Sequence, residues 1–345
     1  MGSPDSPPPL PAARVSALID DDGRPRLDAE TLRLRDLPAM ALDIKFFGYE
    51  LARLAAEGLP LRSDLAPRNV GLTSKPSTQS DLESDWAAYW CNELRIPVQF
   101  HRKIWEFVFL LQALSEHGML APDRRGLGFG CGEEPIPSYL ANLGVHVLAT
   151  DLAPEASQDR GWMGRGQHTS SLDMAFKPYL TSREAFDRRV NHRFVDMNAI
   201  PADLTGFDFC WSICALEHLG SIRQGLDFIQ NSLATLRPGG VAVHTTEFNF
   251  LNDEETVDNW PTVLFQRKHF RELADRLTAA GHSVAPLDFN IGRGVLDQFI
   301  DIPPYEHDWS PEMMRQWGGK AQHLKLNIDG FASTCFGLII RRGGA

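Results

Sequence analysis

The sequence predicts an α/β fold in which a mostly parallel sheet ends in an antiparallel hairpin. From Leu127 onward, short apolar runs alternate with stretches of helical periodicity, which is the pattern of parallel strands with helices on both faces. Near the end of the chain, Asp329-Gly330 separates two further strand-like runs, and this dipeptide is a strong hairpin signal. Apolar residues at helical spacing in the first third of the chain predict a helical extension before the sheet.

Composition and charge narrow the class of protein. The chain has 345 residues, of which 43% are hydrophobic and 23% charged, and its formal net charge is −11. Such an acidic chain suits neither the wrapping of nucleic acid nor binding to an anionic membrane. The five cysteines form no CxxC pair, and neither a membrane span nor a secretory signal is visible. We therefore expect a cytoplasmic globular protein without a nucleic-acid or membrane partner, and the sequence leaves a homo-oligomer open.

Three segments are expected along the chain. They are a disordered Pro-rich tail (residues 1–26), a helical extension or cap (27–120) and the sheet domain (121–345). In the extension, we expect short helices between Leu27 and Leu61. After a break at Pro97, a longer helix is expected to end near Gly118.

The sheet domain contains five predicted strands before the hairpin, each a short apolar run between turn or helix signals. The strands are expected at residues 126–130, 145–150, 192–197, 207–213 and 241–248. One helix is expected over Ile222–Leu236, where Arg-Pro-Gly-Gly closes it, and another over Lys268–Ala280, where Gly281 closes it. The alternation of strands and helices is that of successive βαβ units.

A glycine-rich turn follows the first strand. Glycines at 128, 130 and 132 let a ligand approach the backbone closely, and Asp151 ends the second strand nineteen residues after Gly132. A carboxylate there can accept both hydroxyl hydrogens of a ribose. The dinucleotide pattern GxGxxG is not met, since Glu133 stands where its third glycine would be, and acidic residues would repel a pyrophosphate. A cationic nucleoside ligand without phosphate fits this turn better.

These motifs resemble the core of the class I S-adenosylmethionine (SAM) dependent methyltransferases over residues 127–247. Asp196-Met197 is similar to the pair that holds the adenine in that family, residues 212–219 resemble its "LEH" element, and residues 237–240 resemble the turn before its fifth strand. The resemblance implies a Rossmann-like, seven-stranded methyltransferase sheet with SAM as cofactor. It assigns cofactor contacts to Gly128, Phe129, Gly130, Gly132, Asp151, Leu152, Asp196, Met197 and Cys214.

The sequence departs from the family pattern at two places. Gly126 stands where the family has an acid that contacts the methionine amino group, and Glu133 or Glu134 is our candidate replacement. The stretch of residues 155–190 is longer than usual, and we interpret it as an insertion near the cofactor that acts as a lid. Its candidate ligand contacts are Trp162, Gln167 and His168.

Four residues at the ends of the fourth and fifth strands are candidates for the chemistry: Glu217, His218, His244 and Glu247. A hydroxyl acceptor must lose its proton, and His218 is our first candidate for the general base. A helix-capping role for His218 and a buried structural role for His244 stay open. A divalent metal is conceivable but not favoured, because no compact ligand spacing such as HExxH occurs, and we assign no metal ligand. His323 is a weaker additional candidate.

The expected function is O-methylation of a sugar or another small polar metabolite, with a small-molecule or glycan acceptor as partner. Residues 244–249, 323–331 and 337–340 resemble uncharacterised methyltransferases linked to polysaccharide and secondary-metabolite biosynthesis. Two alternatives stay open. One is N- or C-methylation, or another enzymatic use of SAM, and the other is a catalytically silent SAM-binding scaffold.

Overall fold

The structure is a computed structural model, and it describes residues 19–25, 29–60, 62, 64–153, 172–317 and 321–344. Most of the predicted tail lies outside these residues, as do the predicted lid contacts Trp162, Gln167 and His168. The chain divides into two compact units, Met1–Phe47 and Gly48–Ala345. The unit that contains the sheet therefore also includes helices that the sequence places in the N-terminal extension.

The helices and strands are numbered in chain order. The helices are α1 (Ala29–Glu57), α2 (Gln79–Leu82), α3 (Asp85–Glu93), α4 (Arg102–Glu116), α5 (Ile136–Asn142), α6 (Arg183–Arg189), α7 (Ile222–Ser232), α8 (Arg267–Ala279), α9 (Val295–Gln298) and α10 (Pro311–Trp317). The strands are β1 (Lys75–Pro76), β2 (Arg125–Phe129), β3 (His146–Asp151), β4 (Val190–Phe194), β5 (Phe207–Ile213), β6 (Leu236–Asn249), β7 (Ser283–Val284), β8 (Ile300–Asp301), β9 (Lys325–Ile328) and β10 (Phe331–Arg341).

The helix boundaries follow from local capping. Helix α4 begins after His101, whose Nδ1 accepts a hydrogen bond from the Lys103 N–H at 3.1 Å. The predicted helix at 222–236 is shorter in the structure. It ends at Ser232, because a 3-10 turn leads directly into β6, which already begins at Leu236. Helix α1 is one continuous helix where the sequence predicts several short ones.

The strands of the described chain form one sheet whose central order is β4-β3-β2-β5-β6-β10. Strands β2 to β6 are parallel to their neighbours, and β10 is antiparallel to β6. Along the other edge of β10, β9 pairs with its beginning, β1 with its middle and β7 with its end. The six strands of the central order and β7 together are the seven strands of the predicted Rossmann-like sheet. The short strands β1, β8 and β9 extend this sheet.

The predicted terminal hairpin is confirmed. Strands β9 and β10 pair antiparallel across Asp329 and Gly330, whose φ angles are 49° and 91°. A two-residue hairpin turn with positive φ at both residues matches the right-handed twist of the strands. The hairpin places the beginning of β10 beside the carboxyl end of β6.

The hydrophobic core lies on both faces of the sheet. On one face, Trp105 and Phe109 of α4 belong to the same buried cluster as Trp211 of β5. On the other face, Phe228 of α7 and Phe270 of α8 belong to one buried cluster. Among the described residues, none of the helices combines the length and apolarity needed to cross a bilayer. Since the two layers cover the faces, the carboxyl edge of the parallel strands is where a ligand can bind.

Candidate active site

The glycine turn after β2 is hydrogen-bonded to β3. Gly130 and Gly132 have φ angles of 62° and 49°, in the left-handed region that favours glycine. Between them, the Cys131 N–H donates to the carbonyl oxygen of Thr150 at 3.1 Å. A Cβ atom placed on Gly130 would lie 2.8 Å from the Cβ of Ala215, so the loop after β5 packs closely against this turn. Glycine is required here by both conformation and space.

Asp151 ends β3 beside the glycine turn. Its Oδ2 accepts from the Gly132 N–H at 3.2 Å, and its Oδ1 accepts from the Leu152 N–H at 2.9 Å. The side chain is buried, with 5% of the residue exposed. A carboxylate can accept hydrogen bonds from hydroxyl groups as well as from backbone N–H groups. The structure therefore brings together Gly132, Asp151 and Leu152 as the sequence predicts, in an arrangement that suits a ribose.

Asp196 and Met197 follow β4 at the same edge. Asp196 Oδ1 accepts from the Asn198 N–H at 2.9 Å, which forms a tight turn. The Met197 sulfur would lie 3.7 Å from a Cβ on Gly130, so it is next to the glycine turn. The Asn198 side chain donates to the Leu219 carbonyl oxygen at 3.2 Å and ties this turn to the loop after β5. Three loops thus meet where the cofactor site is predicted.

At two predicted cofactor positions, Gly128 and Phe129, the backbone and not a side chain is available to a ligand at the glycine turn. Phe129 is fully buried, and its ring centroid lies 5.1 Å from that of Phe228 in the core. A Cβ atom on Gly128 would lie 2.3 Å from the Cys131 sulfur and 2.5 Å from the Trp211 ring, so only glycine fits. Both residues therefore support the shape of the turn.

Glu134 is the acid that the structure buries near the glycine turn, whereas Glu133 is exposed. The Trp211 Nε1–H donates to Glu134 Oε1 at 2.6 Å. Burial raises the pKa of Glu134 to about 8, so a large part of this group is protonated at neutral pH. That Glu134 replaces the acid missing at Gly126 stays a prediction.

A second group of buried and partly buried polar side chains lies near the carboxyl ends of β5 and β6. We call it the strand-end cluster, and its members are Arg102, Lys103, Glu106, Cys214, Glu217, Glu247 and Cys335. The predicted site residues Cys214, Glu217 and Glu247 are thus brought together. The contributions of α4 and Cys335 are not predicted from the sequence. The available signal was the presence of charged residues within an otherwise apolar helix.

The three carboxylates of the cluster have different partners. Glu247 forms an ion pair with Arg102 and accepts from the Ser333 hydroxyl at 2.7 Å. Glu106 forms an ion pair with Lys103 at 3.2 Å. Glu217, which is 1% exposed, accepts from the Thr246 hydroxyl at 3.2 Å, and no ion pair to it occurs among the described residues. Two of the carboxylates are therefore paired with cations, and the third accepts from a neutral donor.

Cys214 occupies a strained position at the start of the loop after β5. Its φ angle is 45°, which is unusual for a residue other than glycine, and its N–H donates to the Thr245 carbonyl oxygen at 3.1 Å. Its sulfur lies 3.7 Å from the Cys335 sulfur. The predicted cofactor contact of Cys214 stays a prediction, because this thiol faces the strand-end cluster.

Two overlapping groups of the strand-end cluster have ligand atoms within 4.8 Å of one another, as a metal site would require. They are Glu106, Cys214 and Cys335, and Cys214, Glu217 and Glu247. Arg102 and Lys103 lie in the same cluster and already compensate two of these carboxylates. A cation in either group would be repelled by these side chains. We therefore assign no metal.

His218 lies in a short 3-10 helix after β5 and is half-buried. Its Nδ1 is 2.9 Å from the carbonyl oxygen of Pro261, and since a carbonyl only accepts, Nδ1 carries the proton. The Thr262 hydroxyl lies 3.2 Å from the same nitrogen. In this tautomer Nε2 is the basic nitrogen of the ring.

His244 is not brought together with Glu247. It is fully buried in β6, with Nδ1 2.8 Å from the Ser212 hydroxyl and Nε2 3.2 Å from the Ser232 hydroxyl. Burial lowers its pKa to about 3, so the ring is neutral. Residues three apart along a strand point to opposite faces, and His244 faces α7 while Glu247 meets Arg102 of α4. The structure thus favours the structural role of His244.

Comparison with known proteins adds to this geometry. One protein-family model, described as "Methyltransferase domain", matches residues 104–286, slightly more than half of the chain. Over 89 residues the chain is 36% identical to malonyl-[acyl-carrier protein] O-methyltransferase of Salmonella typhimurium (strain LT2). This match covers 25% of the chain and 33% of that protein, so the chain matches about a third of the length of this curated relative.

Two solved structures also resemble the chain. One is a candidate sarcosine dimethylglycine methyltransferase of Galdieria sulphuraria, with 16% identity, coverage of 75% of this chain and 99% of that one, and a TM-score of 0.45. The other is phosphoethanolamine N-methyltransferase 2 of Haemonchus contortus, with 14% identity, coverage of 68% and 52%, and a TM-score of 0.41. The family match over residues 104–286 includes the glycine turn, Asp151 and the loop after β5. The chain therefore belongs to the methyltransferase-domain family, as a class I SAM-dependent methyltransferase.

Proposed function

We propose that the protein methylates an oxygen atom of a sugar or another small polar metabolite. The observation that carries the proposal is the arrangement of the carboxyl edge. There the loop after β5 packs against the glycine turn through Ala215, and the same loop contributes Cys214 and Glu217 to the strand-end cluster. This arrangement supports a nucleoside site next to a polar acceptor site.

The residues on the cofactor side of the carboxyl edge fit SAM. Gly130 and Gly132 allow close approach, Asp151 is the carboxylate that would accept from the ribose hydroxyls, and Asp196 with Met197 would offer a polar and an apolar contact to the adenine. When bound, SAM supplies an electrophilic methyl group. The surrounding chain then has to orient the acceptor in line with that group and exclude water.

A hydroxyl acceptor also needs a base. His218 with Glu217 is the pair proposed from the sequence, and both stand in the loop that packs against the glycine turn. In His218 the basic nitrogen is Nε2, while Nδ1 is held by the Pro261 carbonyl. Glu217 is oriented by the Thr246 hydroxyl. Either side chain has the chemistry to accept the proton of an acceptor hydroxyl.

A second candidate function is methylation of a carboxylate oxygen. It is favoured by the 36% identity over 89 residues to a protein named as a malonyl-[acyl-carrier protein] O-methyltransferase. A carboxylate with an ordinary pKa is already ionised at neutral pH and needs no general base. The two functions therefore differ in whether the reaction depends on a base.

The proposal is tested with SAM that carries a labelled methyl group and three acceptor pools: monosaccharides and other hydroxyl compounds, small amines, and malonyl thioesters. We expect label in the hydroxyl pool. Label only in the amines or only in the malonyl thioesters would contradict the proposal. Calorimetric SAM binding without transfer to any pool would instead support a catalytically silent scaffold.

A further inference from the structure

A buried aspartate–histidine pair lies at the edge of the sheet, outside the site described above. Asp301 Oδ2 accepts from the His323 Nδ1–H at 2.8 Å and from the Tyr49 hydroxyl at 2.7 Å, while Oδ1 accepts from the Ile302 N–H at 2.9 Å. Asp301 is 0% exposed and His323 8% exposed. Since the carboxylate accepts at Nδ1, the basic nitrogen of the His323 ring is Nε2.

The pair adjoins the strand-end cluster through Arg102. The His323 carbonyl oxygen accepts from the Arg102 N–H at 2.9 Å, and the rings of His101 and His323 lie 4.9 Å apart. The Arg102 guanidinium forms the ion pair with Glu247 and lies 3.9 Å from the Cys335 sulfur. The main chain of His323 is therefore hydrogen-bonded to Arg102 of the strand-end cluster, and the His323 ring neighbours that of His101.

The partner of each histidine decides which one is the better base. An imidazole that accepts a proton becomes a cation, and a carboxylate at its Nδ1–H stabilises that cation more than a neutral carbonyl does. His323 has the carboxylate of Asp301, whereas His218 has the carbonyl of Pro261. His244 is held between two serine hydroxyls in the core.

We propose that His323, oriented by Asp301, is the residue that accepts the proton of the acceptor hydroxyl. The proposal rests on the proposed function. In the step, the acceptor O–H bond breaks and its proton passes to His323 Nε2, while an oxygen lone pair forms the new C–O bond. The methyl carbon–sulfur bond breaks with its electron pair going to sulfur, and the imidazolium later releases its proton to solvent. Asp301 is a positioning residue.

The test compares His323→Gln and Asp301→Asn with the parent protein on the hydroxyl acceptor found in the labelled screen. We expect His323→Gln to lower kcat by roughly 10²–10⁴, with acceptor KM and SAM affinity within a few-fold of the parent. Asp301→Asn should lower kcat by about 10² or more with the same constancy of KM. His117→Gln, at the C-terminal cap of α4, is the matched control and should behave like the parent.

The ring of His323 can be observed without any acceptor. In protein labelled with ¹⁵N-histidine, the His323 signal is identified by its loss in His323→Gln. We expect it to show a proton on Nδ1 in the parent and a changed tautomer balance in Asp301→Asn. Thermal unfolding of each variant establishes that the compared proteins are folded.

The outcomes separate two kinds of failure. If the parent methylates no hydroxyl compound, the proposed function fails and this proposal fails with it. If the parent methylates a hydroxyl but a folded His323→Gln keeps its kcat, only this proposal fails. It also fails if His218→Ala, and not His323→Gln, produces the loss. A His323 ring that carries its proton on Nε2 in the parent would equally overturn it.

Discussion

Asp151 shows how a single side chain holds the glycine turn. Its two oxygens accept from the N–H groups of Gly132 and Leu152, so the carboxylate shapes the turn. These donors explain why this residue is buried although it is charged, and we propose that the same carboxylate binds the ribose. A buried carboxylate is tolerated when hydrogen-bond donors satisfy it.

Replacement of Asp151 by alanine is expected to weaken SAM binding while the protein remains folded. The loss of charge-assisted hydrogen bonds should cost about 2–4 kcal/mol, which corresponds to roughly a thirtyfold to thousandfold loss of affinity. Asp151→Asn keeps one acceptor oxygen and should lose less. Calorimetry with SAM measures both variants, and circular dichroism checks their fold. Unchanged affinity in a folded alanine variant would mean that the cofactor binds elsewhere.

Glu247 is expected to matter for stability through its ion pair. In Glu247→Gln, Arg102 loses its charged partner at a site where its side chain is only 19% exposed. Breaking one side of a buried pair costs about 3–5 kcal/mol, and the partial exposure of Arg102 places the expected loss near about 3 kcal/mol. Urea unfolding measures this loss in the free energy of unfolding. The double variant Arg102→Met/Glu247→Gln should recover much of the lost stability. A double variant no more stable than Glu247→Gln would refute this explanation.

At the scale of elements, the contact between α4 and β10 connects the helical layer to the sheet. Gly337 of β10 lies against the ring of Phe109, which is fully buried and stacked on Trp105 with ring centroids 4.7 Å apart. The same helix carries Arg102 at its first residue and therefore positions the ion pair with Glu247. Packing at Gly337 thus affects both the core and the acceptor side of the site.

Gly337→Ala is expected to destabilise the protein. A Cβ atom at this position would lie 2.2 Å from the Phe109 ring, and overpacking of a filled core costs about 1–3 kcal/mol. Gly344→Ala is the matched control, since a Cβ there has no neighbour within 4 Å. Urea unfolding of the two variants should show a loss only for the first. Equal stability of both variants would show that α4 can move away without cost.

At the scale of the whole molecule, Glu134 should make stability depend on pH. Its pKa is raised from 4.5 to about 8 in the folded protein, so the folded state binds more protons than the unfolded chain between these values. This contribution is fully present below pH 4.5 and is lost as the pH rises through about 8. In Glu134→Gln the fall in unfolding free energy between about pH 5.5 and 8 should be smaller, by about 2–3 kcal/mol. Urea unfolding at both pH values checks this, and identical slopes for the two proteins would contradict it.

Much of the cofactor side of the site could be predicted because its signals are local. Gly130 directly follows a strand, Gly132 is two residues further on and Asp151 ends a strand, and parallel strands bring such positions to one edge whatever packs around them. The strand over residues 207–213 and the hairpin at Asp329-Gly330 could likewise be predicted from short stretches of sequence. The single long helix α1 could not be predicted in this way, since the loose apolar stripe in this stretch indicates several short helices.

Local sequence signals are sufficient to predict the parallel sheet, its terminal hairpin and the glycine turn with its acid. Which side chains meet on the acceptor side depends on the tertiary structure. Arg102 and Glu247 are 145 residues apart, and Tyr49 and Asp301 are 252 apart. Such pairs depend on the order of strands and on which face of a strand each residue occupies. His244 and Glu247 are close in the chain, yet they point to opposite faces of β6 because side chains alternate along a strand.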